Sequence, residues 1–232
     1  MIKDREGTLE RTIREHGGID GVDVLDVGCG SGEVTRFIAR HAASAVGLEE
    51  DPRMLARAES LAADGDNLRF EPGSAQTLPF ADDAFGAVTF LKSLHHVPPA
   101  EQDRALAEAR RVLAPGGTLL VVEPVYRGGA YEEIVHFYND EREVREAAER
   151  ALRRAVDSGL LRLEARLPLE VFYECDDFAD LFAAEIQPKP WVRWDESFRP
   201  AIEALLDRSP RTAEGRHRLD YHLTVWSLRP AC

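Results

Sequence analysis

Two patterns of apolar and polar positions follow each other along the first part of the chain. Short apolar runs predict strands, and between them apolar side chains recur three or four residues apart, as in amphipathic helices. The predicted strands lie at residues 23–28, 45–49, 68–71, 85–91 and 118–123. Predicted helices cover residues 8–16 and 31–42. A third begins at Asp51-Pro52, with apolar positions through Leu61, and a fourth follows Pro98-Pro99 and ends at Leu113. Residues 114–117 are then expected to turn the chain into the next strand. Strands that alternate with helices form a largely parallel sheet. We therefore expect an α/β fold with a doubly wound, mostly parallel, seven-stranded Rossmann-like sheet.

The rest of the chain shows a different pattern, which predicts a helical lid or insertion. A long charged segment with apolar positions at helical spacing predicts one helix over residues 131–157, and we expect it to form a lid or a dimer surface. Partial alternation over residues 161–173 fits a strand or an extended arm. Shorter helices are predicted within residues 176–185 and 196–207, and a last strand at residues 221–228.

The length of 232 residues fits one large domain, or one domain with an appended lid. We expect residues 1–124 to form a ligand-binding core with a leading helix. Residues 125–232 are expected to hold the helical lid, the substrate region and the closing strands of the same sheet.

The charge of the chain disfavours some classes of partner. Asp and Glu outnumber Lys and Arg by 42 to 29, for a formal net charge of −13. Nucleic acids and anionic membranes attract basic faces, so neither is expected as the main partner. No stretch approaches the ~18 apolar residues of a membrane span, and the first residues lack the apolar core of a signal peptide. Cys29, Cys175 and Cys232 are far apart and show no metal-ligand spacing. We expect a reduced, cytoplasmic protein without a metal site.

The first predicted strand runs into a glycine-rich turn that opens a helix. Gly28, Gly30 and Gly32 follow the strand in the spacing Gly-x-Gly-x-Gly. Glycine permits positive φ angles and close approach of a ligand, and the carboxyl edge of a parallel sheet is where such folds bind ligands. Glu33 occupies the place of the third glycine in the dinucleotide pattern. Glu49 ends the second strand, where an acidic side chain accepts ribose hydroxyls. The turn therefore predicts a ribose-containing ligand.

Five motifs occur in order between residues 22 and 124. They are Val24-Leu25-Asp26-Val27-Gly28-Cys29-Gly30-Ser31-Gly32, Val46-Gly47-Leu48-Glu49, Leu78-Pro79-Phe80, Leu94-His95-His96-Val97 and Val112-Leu113-Ala114-Pro115-Gly116-Gly117. Together they resemble the class I S-adenosylmethionine-dependent methyltransferases, most closely the ubiquinone/menaquinone methyltransferase-like (methyltransferase type 11) group. Each motif alone is a modest signal, and their order and intervals make the resemblance specific.

The resemblance implies that S-adenosylmethionine is the cofactor and S-adenosylhomocysteine its product. The residues that it places at the cofactor are Asp26, Gly28, Cys29, Gly30, Gly32, Glu49, Asp51, Met54, Ser74, Ala75 and Leu91. It implies that Asp26 and the Leu91 carbonyl lie near the amino group of the ligand, and that Glu49 takes both ribose hydroxyls. Met54 is then expected on the adenine face. Ser74 stands where the family often has an aspartate for the adenine amino group, which departs from the family's pattern.

The expected activity is direct, in-line transfer of a methyl group to a small-molecule acceptor. The sulfonium already activates the methyl group, so the protein mainly aligns the acceptor and excludes water. A hydroxyl or ammonium acceptor must lose a proton, and the expected bases are His95, His96 and His136.

Two other functions stay open. A NAD(P)-dependent oxidoreductase shares the glycine turn, and a non-catalytic S-adenosylmethionine-binding regulatory or partner subunit keeps the same fold. In the second case residues 131–157 offer a docking surface, which also suits a homodimer. The motifs do not identify the methyl acceptor.

Overall fold

The structure, a computed structural model, describes residues 1–62, 67–187 and 192–231. Its strands are β1 (Ile2–Lys3), β2 (Asp23–Val27), β3 (Ser44–Glu49), β4 (Leu68–Pro72), β5 (Phe85–Leu91), β6 (Leu113–Pro124), β7 (Leu161–Cys175) and β8 (His217–Pro230). Its helices are α1 (Thr8–His16), α2 (Glu33–Ala39), α3 (Pro52–Ser60), α4 (Gln102–Val112), α5 (Ala130–Tyr138), α6 (Arg142–Asp157), α7 (Phe178–Leu181) and α8 (Arg199–Arg208). Single 3₁₀ turns lie at Leu94–His96, Pro99–Glu101 and Glu196–Phe198, and a π-helical turn at Phe182–Ile186. In this described part, no helix is long and apolar enough to cross a membrane.

Hydrogen bonding joins the strands into an eight-stranded sheet in the order β1-β7-β8-β6-β5-β2-β3-β4. β2 pairs in parallel with β3 and β5, β3 with β4, and β5 with β6, as the alternation of strands and helices predicts. β1 pairs antiparallel with β7, so the sheet is mixed. The α/β class is confirmed, and the expected seven-stranded, mostly parallel sheet is corrected to a mixed sheet of eight strands. β1 has only two residues, which is too short to show periodicity in the sequence.

The chain divides into two compact units, each assembled from separate segments. The larger unit comprises Glu10–Glu123, Val144–Leu167 and Thr224–Cys232. Its core joins buried side chains of the strands and of helices α4 and α6: Leu25, Val46, Val88, Leu106, Ala109, Leu119, Ala148 and Leu152. Each large aliphatic side chain buried in this way contributes about 1.5–3 kcal/mol. This core fixes the ends of β2, β3 and β5, from which the loops of the site start.

The smaller unit comprises Met1–Leu9, Pro124–Glu143 and Pro168–Leu223. Its centre is a group of three buried tyrosines, Tyr131, Tyr173 and Tyr221, whose ring centroids lie 4.6 to 5.4 Å apart. The Tyr131 hydroxyl donates a 2.6 Å hydrogen bond to the buried carboxylate of Glu185. The domain division expected near residue 124 stays a prediction.

The helix predicted over residues 131–157 is two helices, and this expectation is wrong. α5 ends at Tyr138, because Asn139 leaves the helical backbone with φ −154° and ψ 79°. α6 then begins at Arg142, whose backbone N–H donates to Asp140 Oδ1 at 3.2 Å. Asp140 thus receives a backbone N–H of the first turn of a new helix, as an aspartate cap does. The homodimer expected through a single helix at residues 131–157 stays a prediction.

Two other segments can be compared with their predictions: the strand or extended arm at residues 161–173, and the turn at residues 114–117. Residues 161–173 form a strand, since β7 runs from Leu161 to Cys175. The turn expected at residues 114–117 lies inside β6, where the pairing with β5 shifts between Phe85↔Leu113 and Ala87↔Thr118. Gly116, at φ +78°, makes this irregularity possible.

Candidate active site

The glycine turn after β2 is built on three positive backbone angles. Gly28, Gly30 and Gly32 have φ of 73°, 56° and 73°. The N–H groups of Gly28 and Cys29 both donate to the Leu48 carbonyl on the neighbouring strand, at 2.8 and 3.0 Å. Because L residues with a side chain rarely adopt such φ angles, the sequence forms this turn only with glycine at these positions.

The surroundings of the three glycines differ. A Cβ on Gly28 would lie 2.6 Å from Ser93 Cβ, and one on Gly32 would lie 2.5 Å from the Phe70 ring. These two glycines therefore let the turn pack against β5 and β4. Among the described residues, a Cβ on Gly30 would come near the Met54 methyl alone, at 3.7 Å. Gly30 is thus the position of the turn with open space beside it, and α3 brings Met54 to the edge of that space.

Glu49, at the end of β3, holds the backbone around the turn. Its Oε2 accepts the Gly30 N–H at 2.7 Å, while Oε1 accepts the N–H groups of Glu50 and Asp51 at 3.0 and 2.9 Å. A carboxylate offers about four acceptor positions, so these bonds within the described part of the chain leave roughly one on Oε2. The sequence predicts that Glu49 binds two ribose hydroxyls. Oε2 of Glu49 can accept one hydroxyl as it stands. A second hydroxyl would displace one of the backbone N–H groups from the carboxylate.

Asp26, on β2, is a buried carboxylate held by two hydroxyl groups. It is 2% exposed, and it accepts hydrogen bonds from Thr35 at 2.6 Å and Thr89 at 2.8 Å. Burial raises the pKa of Asp26 to about 6, while the two threonine hydroxyls oppose this shift. At neutral pH the group is still ionised, so it presents a poorly solvated negative charge beneath the glycine turn. Such a charge favours a cationic ligand group.

Cys29 contributes its backbone to the turn and packs its side chain against β3. An added Cβ at Gly47 would come within 2.9 Å of the Cys29 sulfur. Burial, and after it the charges of Asp26 and Glu49, raises the pKa of the Cys29 thiol well above its usual value. The thiol is therefore unreactive at neutral pH. Cys175 is a buried free cysteine of the smaller unit, and Cys232 lies outside the described residues.

Asp51 begins α3 as its N-terminal cap. Its side chain accepts the Arg53 N–H at 2.8 Å and also pairs with the Arg53 guanidinium at 2.6 Å. The Arg53 side chain lowers the pKa of Asp51 to about 2. These contacts explain the Asp-Pro pair in the sequence as a helix start, and a direct contact of Asp51 with the cofactor stays a prediction.

The loop after β4 carries Ser74 and Ala75. Ser74 and Thr77 form an isolated bridge, with the Thr77 N–H on the Ser74 carbonyl at 3.2 Å. Arg111 of α4 fixes the following residues, since its guanidinium donates to the carbonyls of Leu78 at 3.0 Å and Phe80 at 2.8 Å. No pattern in the sequence indicates these contacts of Arg111, because the partners are some thirty residues apart.

The end of β5 approaches the glycine turn from the other side. Leu91 is the last residue of β5 and is 9% exposed. Lys92 follows at φ +60°, a left-handed conformation that is uncommon for a residue with a side chain. Ser93 donates its hydroxyl to the Val27 carbonyl at 2.6 Å. This bond ties the β5 loop to the start of the turn at Gly28.

His95 and Glu123 form a buried pair at the ends of β5 and β6. His95 Nδ1 lies 2.6 Å from Glu123 Oε2, and the two side chains are 3% and 5% exposed. Glu123 Oε1 accepts the Leu94 N–H at 2.9 Å, which fixes the carboxylate. Glu123 therefore fixes the orientation of the His95 ring through Nδ1. Sequence reasoning missed Glu123, although a carboxylate at the carboxyl end of a buried strand is the available signal.

The other two predicted histidines have different settings. The exposed His96 ring lies beside that of His95, with centroids 4.1 Å apart. His136 is on α5 in the smaller unit, where its Nδ1 is 3.3 Å from Asp140 Oδ1. The larger unit thus brings together His95, His96 and Glu123, and the bases predicted from the sequence are not all in one unit.

Known proteins share this arrangement of elements. Residues 24–117 match the model of a family described as a methyltransferase domain. The match runs from β2 into β6, so it contains the glycine turn, Glu49 and the two adjacent histidines. Residues 24–117 are thus similar to a methyltransferase domain. The resemblance to class I S-adenosylmethionine-dependent methyltransferases is thereby confirmed.

Curated proteins are similar to this chain over part of their own length. The ubiquinone/menaquinone biosynthesis C-methyltransferase UbiE of Hahella chejuensis is 36% identical over 118 residues, 48% of this chain and 47% of that protein. The demethylmenaquinone methyltransferase of Thermus thermophilus is 39% identical over 119 residues, 50% of this chain and 53% of that protein. The chain therefore spans about half the length of the curated relatives it matches.

A solved structure extends the likeness in fold. BH2331 from Bacillus halodurans C-125 matches with a TM-score of 0.69 and 17% identity, covering 97% of this chain and 99% of that one. At this identity the match shows a shared fold and nothing about the reaction.

The residues around the glycine turn fit S-adenosylmethionine. Asp26 offers a buried negative charge for an ammonium group, and Glu49 Oε2 offers an acceptor for a hydroxyl. Gly30 leaves room beside the backbone that a side chain would fill. The donor and acceptor set thus matches the amino acid and ribose parts of this cofactor.

Proposed function

We propose that this protein is an S-adenosylmethionine-dependent methyltransferase that acts on a small-molecule acceptor. The observation that carries the proposal is the arrangement of Asp26, the Gly28–Gly32 turn and Glu49 along the parallel neighbours β2 and β3. The match of residues 24–117 to a methyltransferase domain supports it. The net charge of −13 favours a small molecule over a nucleic acid as the acceptor.

The cofactor, when bound, supplies a methyl group that its sulfonium charge has already activated. Asp26 pairs with the ammonium group, and Glu49 Oε2 accepts a ribose hydroxyl. The backbone of Gly28, Cys29, Gly30 and Gly32 lines the ligand, with Met54 on the adenine side. Asp51, Ser74, Ala75 and the Leu91 carbonyl complete the proposed set. The chain's own contribution to rate is alignment of the acceptor and exclusion of water.

His95 is the proposed general base for an acceptor that must lose a proton. Glu123 holds the imidazole through Nδ1 and stabilises the imidazolium that forms when Nε2 takes the proton. This is the same division of roles as between the histidine and carboxylate of hydrolase triads. His96 and His136 stay alternatives for this role, and each is more exposed than His95.

Calorimetric titration tests the cofactor assignment. We expect S-adenosylmethionine and S-adenosylhomocysteine to bind, and NAD(P) not to bind. Glu49→Gln removes the charge that strengthens a hydroxyl hydrogen bond, worth about 1.5–3 kcal/mol, so affinity falls at least about tenfold. Glu50→Gln is the matched control, since Glu50 is the exposed neighbouring carboxylate. Absence of binding of both compounds, or equal affinity of the Glu49 variant and wild type, contradicts the assignment.

Transfer of a labelled methyl group to a panel of metabolites tests the reaction. With an acceptor in hand, His95→Asn keeps a donor for Glu123 but removes the basic nitrogen. We expect kcat to fall by about 10²–10⁴ with cofactor affinity unchanged, and the fall to shrink as pH rises. An unchanged kcat would transfer the role to His96 or His136, each tested by the same substitution. Cofactor binding without turnover on any acceptor would favour the regulatory subunit over the enzyme.

A further inference from the structure

A second group of ionisable side chains lies in the smaller unit. Asp220 and His222 are two positions apart on β8, so they point to the same face of the sheet. Glu170 lies on β7. His222 Nε2 is 3.6 Å from Glu170 Oε1 and 3.8 Å from Asp220 Oδ2. Three atoms that ligate metals therefore converge, all within 4.8 Å of one another.

A fourth side chain, Glu132, contacts His222 on the Nδ1 side of the imidazole ring and orients it. Its side chain is fully buried at 0% exposure, and Oε1 lies 2.8 Å from His222 Nδ1 and accepts the His222 N–H at 2.9 Å. Its Oε2 accepts the N–H groups of Arg127 and Gly129, at 2.7 and 3.1 Å. Three backbone N–H groups thus donate to this carboxylate, which also faces the imidazole as an acceptor. Nδ1 of His222 therefore carries the proton, and the lone pair lies on Nε2, toward Glu170 and Asp220.

Asp220 is held in place in a similar way. Its Oδ1 accepts the Ala130 N–H at 2.8 Å, which leaves Oδ2 on the side of the histidine. The backbone at Gly129 packs closely here, since a Cβ on it would lie 2.8 Å from Asp220 Oδ2 and 3.0 Å from His222 Nδ1. Two of the three converging groups thus have their orientation set by bonds outside the group. This is how ligands of metal sites are oriented by their neighbours.

The separations suit a cation better than direct hydrogen bonds. At 3.6 and 3.8 Å, Nε2 is too far from either oxygen for a hydrogen bond. Ligands at ~2.1 Å from a tetrahedral metal are about 3.4 Å apart, which is close to both values. Glu170 is 52% and His222 21% exposed, so a cation has access from solvent.

We propose that Glu170, Asp220 and His222 bind a divalent transition-metal ion, with Glu132 as the residue that orients His222. One imidazole nitrogen and two carboxylate oxygens form a mixed set that suits Zn²⁺, Mn²⁺ or Fe²⁺ better than Mg²⁺ or Ca²⁺. The site belongs to the smaller unit, and methyl transfer does not require it. Sequence spacing gave no sign of it, because the residues are dispersed from position 132 to position 222.

Titration of the untagged, full-length protein with Zn²⁺ tests the proposal, with Co²⁺ as a spectroscopic probe of the ligands. We expect one equivalent to bind and the melting temperature to rise as the folded state takes up the ion. Glu170→Gln and His222→Gln each weaken binding at least about tenfold. Glu143→Gln, the same change at an exposed glutamate of α6, leaves the affinity unchanged.

Several outcomes would overturn the metal site. One is that Zn²⁺ shows no saturable binding. Another is that Zn²⁺ binds Glu170→Gln as tightly as the wild type, since this variant alters a half-exposed side chain and spares the fold. Binding that is lost only on replacing Cys29 or Cys175 with serine places the ion elsewhere. Finally, NMR of the His222 imidazole in the presence of Zn²⁺ can be compared with the wild-type expectation of a metal-bound Nε2. Protons on both ring nitrogens would show that His222 is a cation between its carboxylates, with no nitrogen lone pair for a metal.

Discussion

The proposed pairing of Asp26 with the ammonium group of the cofactor makes cofactor affinity depend on pH. Burial raises the pKa of its carboxyl to about 6, so the group gains a proton as the pH falls through that value. The ammonium group of the cofactor then loses its counter-charge. We expect affinity for S-adenosylhomocysteine to be constant above about pH 7 and to fall by up to about tenfold per pH unit below about pH 6.

Calorimetry over this pH range measures the effect, and Asp26→Asn is the matched variant. Asparagine keeps an oxygen for the hydroxyls of Thr35 or Thr89 and has no charge to lose. Its affinity should be weaker at neutral pH and nearly independent of pH. A wild-type profile as flat as that of the variant would show that Asp26 does not pair with the ammonium group.

Sequence reasoning predicted the place in the fold of single residues that follow a strand, while their roles stay predictions. Asp26, the glycines and Glu49 all stand at or near strand ends, and strand ends can be read from apolar runs. Their partners were not found, because Thr35 and Thr89 meet Asp26 only through the fold. The same holds for Glu123 beside His95. A hydroxyl or a carboxylate within an element gives no sign of the distant group that it will contact.

At the scale of elements, α3 depends on Asp51 for its start. The side chain caps the helix and pairs with Arg53, so Asp51→Ala should lower the free energy of unfolding measurably. Asp51→Ser keeps a capping oxygen and should recover most of that loss. Denaturant unfolding measures both variants, and calorimetry gives their affinity for S-adenosylhomocysteine.

The pair of variants separates capping from a direct cofactor contact. If Asp51 acts only through the helix that carries Met54, serine restores both stability and affinity. If the carboxylate itself touches the cofactor, serine restores stability and leaves affinity low. Equal stability of the alanine variant and the wild type would contradict the capping role.

The predicted elements differ from the structure where a short polar stretch interrupts a pattern. Apolar spacing continues across Asn139 and Asp140, so the sequence reads as one helix, yet the cap at Asp140 starts a new one. The reverse holds at residues 114–117, where Pro and Gly signal a turn and pairing with β5 continues past it. Local signals of this kind are outweighed by pairing and capping that form only in the folded chain.

At the scale of the whole molecule, the residues that match the methyltransferase family model and those outside the match lead to different predictions. The matched residues 24–117 fall within the larger unit and contain the proposed cofactor site. The smaller unit lies outside that match and carries the tyrosine group, His136 and the proposed metal site. The sequence therefore predicts a cofactor but no particular acceptor, because no recognised motif covers the segments expected to bind the acceptor.

The net charge of −13 leads to a prediction about salt and stability. Many exposed ion pairs are short, such as Arg154–Asp103 at 2.9 Å, and each contributes at most about 1 kcal/mol. Repulsion among the excess acidic groups acts over longer distances. The screening length falls from ~30 Å at about 0.01 M salt to ~10 Å at about 0.1 M, so added salt removes the long-range repulsion before it weakens pairs in contact.

We therefore expect the melting temperature to rise when NaCl is increased from about 0.01 M to about 0.3 M, as screening relieves the self-repulsion of the compact state. Scanning calorimetry measures the change, and KCl at equal ionic strength should give the same rise if screening is the cause. Glu143→Lys, at an exposed position, reduces the negative charge and should show a smaller rise. A melting temperature that falls with salt would mean that the surface ion pairs outweigh the net charge in the stability of this fold.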